Sequence, residues 1–180
     1  MKTYSKFILF LLIGLCFSCV KDIDFNQAED FEINPAVPVS LVKFDLVQTD
    51  FYDENNFPIT IFEDEVVFTA LDNSTAQEDL RRVLLNFEVL NEFNRNFRLE
   101  ILFVDEADVA TYDPITLVVD ANNQNYTYEE DIIVSSNPSF LNSRKIRVTL
   151  TVLASGGSID PNTPRRLEFK SAGTFYFTID

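Results

Sequence analysis

Every second residue of Arg144–Ala154 is apolar: Ile146, Val148, Leu150 and Val152 fall on one side, Arg147, Thr149 and Thr151 on the other. A two-residue period sends successive side chains to opposite faces of an extended chain, and it cannot line one stripe of a helix. The same alternation recurs along the chain. In Ser40–Gln48, Val42, Phe44 and Leu46 oppose Lys43 and Asp45. Phe97, Leu99, Ile101 and Phe103 alternate cleanly, as do Ile115, Leu117 and Val119 in Pro114–Asp120. Ile59–Leu71 reads as a strand with a turn or bulge at Glu63-Asp64-Glu65. Tyr126–Tyr128 and Ile132–Val134 flank the acidic Glu129–Asp131, and Leu167 and Phe169 open a last element that resumes at Phe175, Phe177 and Ile179 after Gly173.

Gln77–Asn91 fits two periods. Leu80, Val83, Leu84, Phe87 and Leu90 make a helical stripe, with Ser74 and Gln77 spaced as a capping box. Val83, Leu85, Phe87 and Val89 alternate as in a strand. The asparagine-rich Asn91–Asn96 that follows favours the strand, as one half of a hairpin of roughly 82–91 with 97–105. Turn signals at Thr49–Pro58, Asp105–Asp113, Ala121–Asn125 and Ser155–Pro164 separate the remaining segments. The sequence thus predicts an all-β domain over 40–180, an immunoglobulin-like β-sandwich of about seven to nine strands. An up-and-down β-barrel with an internal cavity is the competing architecture.

Composition supplies a core for such a domain. Apolar residues make up 46% of the 180 and phenylalanine occurs 18 times, so disorder is not expected outside the N-terminal part. Histidine is absent, which excludes Ser–His and Cys–His nucleophiles and His-liganded zinc or iron. The formal charge of −15 opposes electrostatic binding of nucleic acid or anionic lipid.

The first nineteen residues carry an address. Lys2 and Lys6 precede the apolar run Phe7–Leu15, and Cys16-Phe17-Ser18-Cys19 follows. This is the n-region, h-region and small-residue exit of a secretory signal, too short to span a bilayer. Cys16-Phe17-Ser18-Cys19 resembles a bacterial lipobox, which implies removal of residues 1–18 and acylation of Cys19. Several acyl chains on one cysteine give stable membrane anchoring. The alternative is an ordinary thiol in an uncleaved signal anchor. Residues 19–39 are acidic, contain Pro35 and Pro38, and read as an extended tether. Lys21-Asp22 and Gln27-Ala28-Glu29-Asp30 resemble the acidic surface-export signal of Bacteroidota-type lipoproteins, although a solvated spacer has the same composition. Lipobox, acidic tether and phenylalanine-rich β domain together resemble the small outer-membrane lipoproteins of that group. The resemblance implies a lipid-anchored location, periplasmic or surface-facing, and no particular activity.

The chemistry-bearing residues are few. Acidic clusters at Asp50/Asp53/Glu54, Glu63/Asp64/Glu65, Asp105/Glu106/Asp108 and Glu129/Glu130/Asp131 lack the order of a calcium loop and read as solvated charge. Paired carboxylates for glycoside hydrolysis need a fixed separation that sequence does not give. Phe51, Tyr52 and Phe57 form the candidate binding loop, a platform for sugar rings or a protein. The Tyr126/Tyr128 pair offers a second platform, or else one packed face of a strand. Asn73-Ser74-Thr75 and Asn125-Tyr126-Thr127 match a glycosylation pattern that a bacterial lipobox makes irrelevant. Gly156-Gly157 opens no helix and gives nucleotide binding no support. No catalytic set, metal site or cofactor is indicated. The expected function is therefore a non-enzymatic, lipid-anchored binding module for an envelope protein complex or a glycan. A carrier of a small apolar ligand and a structural envelope spacer are the alternatives.

Overall fold

The computed structural model describes Ile33–Ile179. Among these residues the strands are β1 (Ala36–Val47), β2 (Ile61–Val67), β3 (Leu80–Asn91), β4 (Arg95–Val104), β5 (Ile115–Val119), β6 (Tyr126–Ile133), β7 (Lys145–Gly156) and β8 (Arg166–Phe177). A short helix, α1 (Ser74–Asp79), precedes β3, and its N-cap is Asn73, whose side chain accepts from the Ala76 N–H at 2.6 Å. No helix among the described residues is long and apolar enough to cross a membrane.

The strands form two antiparallel four-stranded sheets, β1-β8-β3-β6 and β2-β7-β4-β5. The chain behaves as one long antiparallel ribbon, its first four strands laid against its last four. The nested ladders are β1·β8, β2·β7, β3·β6 and β4·β5. Rolling that ribbon adds two seams, β3·β8 and β4·β7, which complete the sheets. The result is the eight-stranded β-sandwich the alternation predicts. Its order is that of a jelly roll, with the first strand beside the last, whereas an immunoglobulin sandwich sets its first strand beside its second. The sheets do not close into a barrel, since β1, β2, β5 and β6 each keep a free edge.

The inner faces are the apolar faces read from the sequence. Val83, Leu85, Phe87 and Val89 of β3 are buried, as are Phe97, Leu99, Ile101 and Phe103 of β4 and Ile146, Val148 and Leu150 of β7. Phenylalanine fills the space between the sheets. Phe51, Phe62, Phe93 and Phe97 meet at one end, and Phe68, Phe103, Phe140 and Phe175 at the other.

Several sequence expectations change. The hairpin of 82–91 with 97–105 does not form, because β3 and β4 lie in different sheets. Each has one apolar face, and facing each other across the core satisfies it as well as lateral pairing does. Asn91–Asn96 is accordingly a corner between sheets. Asn91 is wholly buried there: its amide donates to the Arg95 and Asp120 carbonyls, both at 2.8 Å, and its oxygen accepts from the Phe93 N–H at 2.9 Å. Glu63-Asp64-Glu65 does not interrupt β2, and Glu129–Asp131 lies inside a continuous β6. Both are edge strands, where water reaches the carboxylates. Gly173 likewise does not break β8. β1 starts at Ala36, so Ala36–Val39 belong to a strand.

Ile33 bridges Ile179, which places the entrance of the chain at the end of the sandwich where β8 finishes. Strand directions put 48–60, 92–94, 120–125 and 157–165 at the opposite, distal end.

Asn91→Ala strands the Phe93 N–H and two carbonyls in the core. It should lower unfolding stability by about 3 kcal/mol in urea titration, each orphaned buried group costing roughly 1–3 kcal/mol.

Candidate binding face

Both outer faces of the sandwich carry paired charges, and they differ in relief. On β2-β7-β4-β5 the charges neutralise one another. Arg147 reaches Glu65 at 2.7 Å, Asp108 at 3.2 Å and Glu63 at 3.4 Å, and Lys145 reaches Asp108 at 2.7 Å and Glu65 at 3.3 Å. The hydrogen bond from Arg147 holds the Glu65 carboxyl below its ordinary range, and that from Lys145 does the same for Asp108.

The outer face of β1-β8-β3-β6 is recessed instead. Its floor follows from three successive small residues of β8, Ser171-Ala172-Gly173. Ser171 points inward: its hydroxyl accepts from the Val42 N–H at 3.0 Å and donates to the Val42 carbonyl at 3.2 Å. Those bonds hold a β-bulge in β1 between Ser40 and Lys43, where Leu41 and Val42 together oppose one residue. Gly173 also points inward, where a Cβ would stand 2.8 Å from the Phe175 ring and 3.3 Å from the Leu85 side chain. Ala172 points outward, leaving a hollow between the taller side chains on either side.

Pairing registers order the residues around that hollow. One row across the sheet is Ser40, Ala172, Asn86 and Glu129, and the next toward the distal end is Lys43, Lys170, Glu88 and Thr127. The first recess, about 330 Å³, is lined by Ser40, Leu41, Val42, Lys43, Asn86, Glu88, Lys170, Ser171 and Ala172. A second, about 310 Å³, shares Glu88 and Lys170 with it and extends to Gln124, Asn125 and Tyr126 near the distal loops. Together they make one trough. Glu168 lies along it with Lys170 at 2.6 Å and Lys43 at 3.6 Å, and the Lys170 hydrogen bond holds its carboxyl below the ordinary range. The Asn86 amide has no hydrogen-bond partner among the described residues, although it is half-buried.

The expected binding loop divides into three roles. Phe51 is 1% exposed and packs edge-on against Phe62 and Phe93, so it is the buried root of the loop and no platform. Tyr52 is half-buried, and its hydroxyl donates to the Ile159 carbonyl, tying two distal loops together. Phe57 alone stands out, at 67% exposure. Sequence alternation could not separate them, because the loop has no period. Of the Tyr126/Tyr128 pair, Tyr126 packs partly against the core and also lines the second recess, while the Tyr128 ring, 37% exposed, stands 6.3 Å from that of Phe87. Tyr112 and Tyr128 donate to the two oxygens of Glu130 at 2.7 and 2.6 Å, clamping edge strand β6. Burial pushes the Tyr112 hydroxyl well above its usual range.

The acidic clusters are mostly structural. Asp53 accepts from the Asn55 and Phe57 N–H groups, Asp105 from those of Ala107 and Val109, and Asp131 holds Arg82. Among the described residues no three acidic or cysteine side chains converge as metal ligands. Gly156, at φ 98°, is required by a close approach: a Cβ there would lie 2.9 Å from the Asn94 carbonyl oxygen. Cys19, Lys21, Asp22, Gln27, Ala28, Glu29 and Asp30 lie outside the described residues. The trough itself was missed by sequence reasoning. Its one signal was a glycine beside two other small residues inside a strand, which marks a bulge or a close approach.

No family model matches the chain. No curated protein matches it. Solved structures that resemble it include a protein of Parabacteroides distasonis assigned as secreted, 17% identical with a TM-score of 0.48 over 64% of this chain and 37% of that one. Desmodium yellow mottle tymovirus matches at 11% identity and TM-score 0.35, over 83% and 90% of the two chains. Israeli acute paralysis virus matches at 15% and 0.40, over 78% and 71%. The chain thus spans little more than a third of the Parabacteroides protein, and all three likenesses are weak.

Two outcomes follow from this geometry. Phe51→Ala should cost about 3–5 kcal/mol of stability by the usual scale for a buried phenylalanine. Phe57→Ala should stay within about 0.5 kcal/mol of the parent, as exposed substitutions do; paired urea titrations compare them. Separately, Glu65 and Asp108 have folded pKa values below their ordinary 4.5 and 3.8, so their ion pairs contribute stability above those values. That contribution is lost as pH falls from about 4.5 through the lower folded values. Melting curves between neutral pH and pH 3 should show a shallower acid loss for the Glu65→Gln, Asp108→Asn double variant.

Proposed function

We propose that the protein is a non-enzymatic, lipid-anchored binding module of the outer membrane, facing the periplasm or the cell surface. Its partner is a glycan or an envelope protein complex. The trough on the outer face of β1-β8-β3-β6 is the observation that supports this reading most. It presents the Asn86 amide beside the charges of Lys43, Glu88, Lys170 and Glu168, both lysines reaching Glu168, on a face the fold leaves open. Its position agrees with anchoring through Cys19, since Ile33 enters at one end of the sandwich and the second recess reaches the loops of the other. Lys21-Asp22 and Gln27-Ala28-Glu29-Asp30 serve as the export signal in this reading.

The apolar groove at the N-terminal end favours a second reading, carriage of a small apolar ligand. It measures about 340 Å³ and is lined by Pro35, Val37, Val39, Ala70, Phe175, Phe177 and Ile179 among others. A smaller, mostly apolar pocket of about 200 Å³ lies between the sheets at the β1 and β2 edge, lined by Phe44, Leu46, Phe62, Val148 and Leu150 among others.

Labelled palmitate should enter the wild-type polypeptide and not a Cys19→Ser variant, and the variant should leave the membrane fraction. Unlabelled wild-type protein, or unchanged fractionation of the variant, would overturn the anchor. Protease shaving of intact cells then separates surface from periplasmic display.

A further inference from the structure

We infer that the trough is a carbohydrate site, and that its ligand is an uncharged oligosaccharide seated on Ala172. This inference rests on the binding-module reading and narrows it to one class of ligand.

The composition of the trough argues against a protein partner first. Protein interfaces are enriched in aromatic residues, methionine and arginine, and depleted in lysine, glutamate, serine and alanine. The first recess is built from the depleted types: Ser40, Lys43, Glu88, Lys170 and Ala172. The large apolar side chains exposed elsewhere, such as Phe57, Ile61, Val67 and Val118, line neither recess.

The chemistry of the lining then selects the ligand. A pyranose ring presents hydroxyls around its rim and C–H bonds on its faces. Here the floor is the Ala172 methyl, Leu41 and Val42 being turned toward the core, and the walls are polar. Lys170 stands opposite Glu88 across β8·β3 and reaches Glu168 at 2.6 Å, which sets an ammonium donor beside a carboxylate acceptor. Neighbouring hydroxyls of one sugar can span such a pair, one accepting and one donating. Asn86, in the adjacent row, adds an amide that both donates and accepts and is otherwise unpartnered among the described residues.

Charge decides between neutral and acidic sugars. Lys43 and Lys170 are balanced by Glu88 and Glu168 along the trough, while the protein as a whole carries −15. A polyanion would gain little inside the trough and be repelled by the remaining surface. An uncharged glycan meets no such opposition.

The test is a glycan array, neutral and acidic, probed with the full lipidated protein extracted in mild detergent. Ala172→Phe fills the hollow from an exposed strand position, Asn86→Ala removes the free amide, and Val118→Ser on the opposite face serves as control. Wild type and control should retain one or more neutral glycans, with affinity nearly independent of salt. Ala172→Phe should weaken binding by about tenfold or more, equivalent to roughly 1.4 kcal/mol; Asn86→Ala should weaken it less, and melting curves should confirm that both variants are folded. Retention of no neutral glycan, retention of acidic glycans only, or unaltered binding by folded Ala172→Phe each overturns the inference. Should a copurifying protein be lost in Ala172→Phe while no glycan binds, the trough remains the binding face and only the carbohydrate assignment falls.

Discussion

Phenylalanine packing between two sheets is the interaction on which this fold depends. Among the described residues eight phenylalanines, from Phe51 to Phe175, are fully buried, and each removes enough apolar surface to be worth roughly 1.5–3 kcal/mol. They do more than fill the middle. Phe51 comes from the 3-10 turn after β1, Phe93 from the corner between β3 and β4, and Phe140 from the 3-10 turn before β7. Edge-to-face contacts at ring distances near 5 Å fasten these connections to the ends of the sandwich. The loops are thus part of the core, which is how a ribbon with long crossovers between sheets holds a single arrangement.

An open sandwich must also protect its edges, and this chain does so differently at each one. β1 carries Pro38 and the bulge at Ser40–Lys43. β2 turns Asp64 to its inner side, in register with buried Val148, so a strand added there would bury a carboxylate. β6 turns Glu130 inward in the same way, opposite Leu85, and satisfies it with two tyrosines. β5 is only five residues long and follows Pro114. Short strands, bulges, proline and inward charge are the known means of preventing edge-to-edge association. The acidic interruptions in the sequence pattern are therefore protection for edges and not turns between strands.

This explains what the sequence could and could not disclose. Alternation reports which face of a strand is buried, and it located nearly every strand, including β3 against a competing helical stripe. It does not report whether the buried face meets a lateral neighbour's side chains or an opposing sheet, so β3 and β4 read as a hairpin when they are partners across the core. Loops carry no period at all. Phe51 and Phe57 were therefore indistinguishable, although one anchors the loop and the other is solvated. Cross-strand registers such as Ser40–Ala172–Asn86 arise only when residues more than eighty positions apart meet, and a single chain of letters does not contain them.

The trough and the core are consequences of the same three residues. Gly173 leaves room for Phe175 and Leu85 on the inner side, and Ser171 supplies the hydroxyl that a bulged β1 needs for its Val42 backbone. With those two inner positions fixed as small by packing, the outward residue between them borders a bent neighbouring strand. Ala172 at that point leaves a hollow that any larger side chain would close. The inner demands do not require alanine outside, since a strand's two faces are chemically independent. Packing therefore leaves the outward position free, and the hollow at Ala172 is where the proposed ligand would sit.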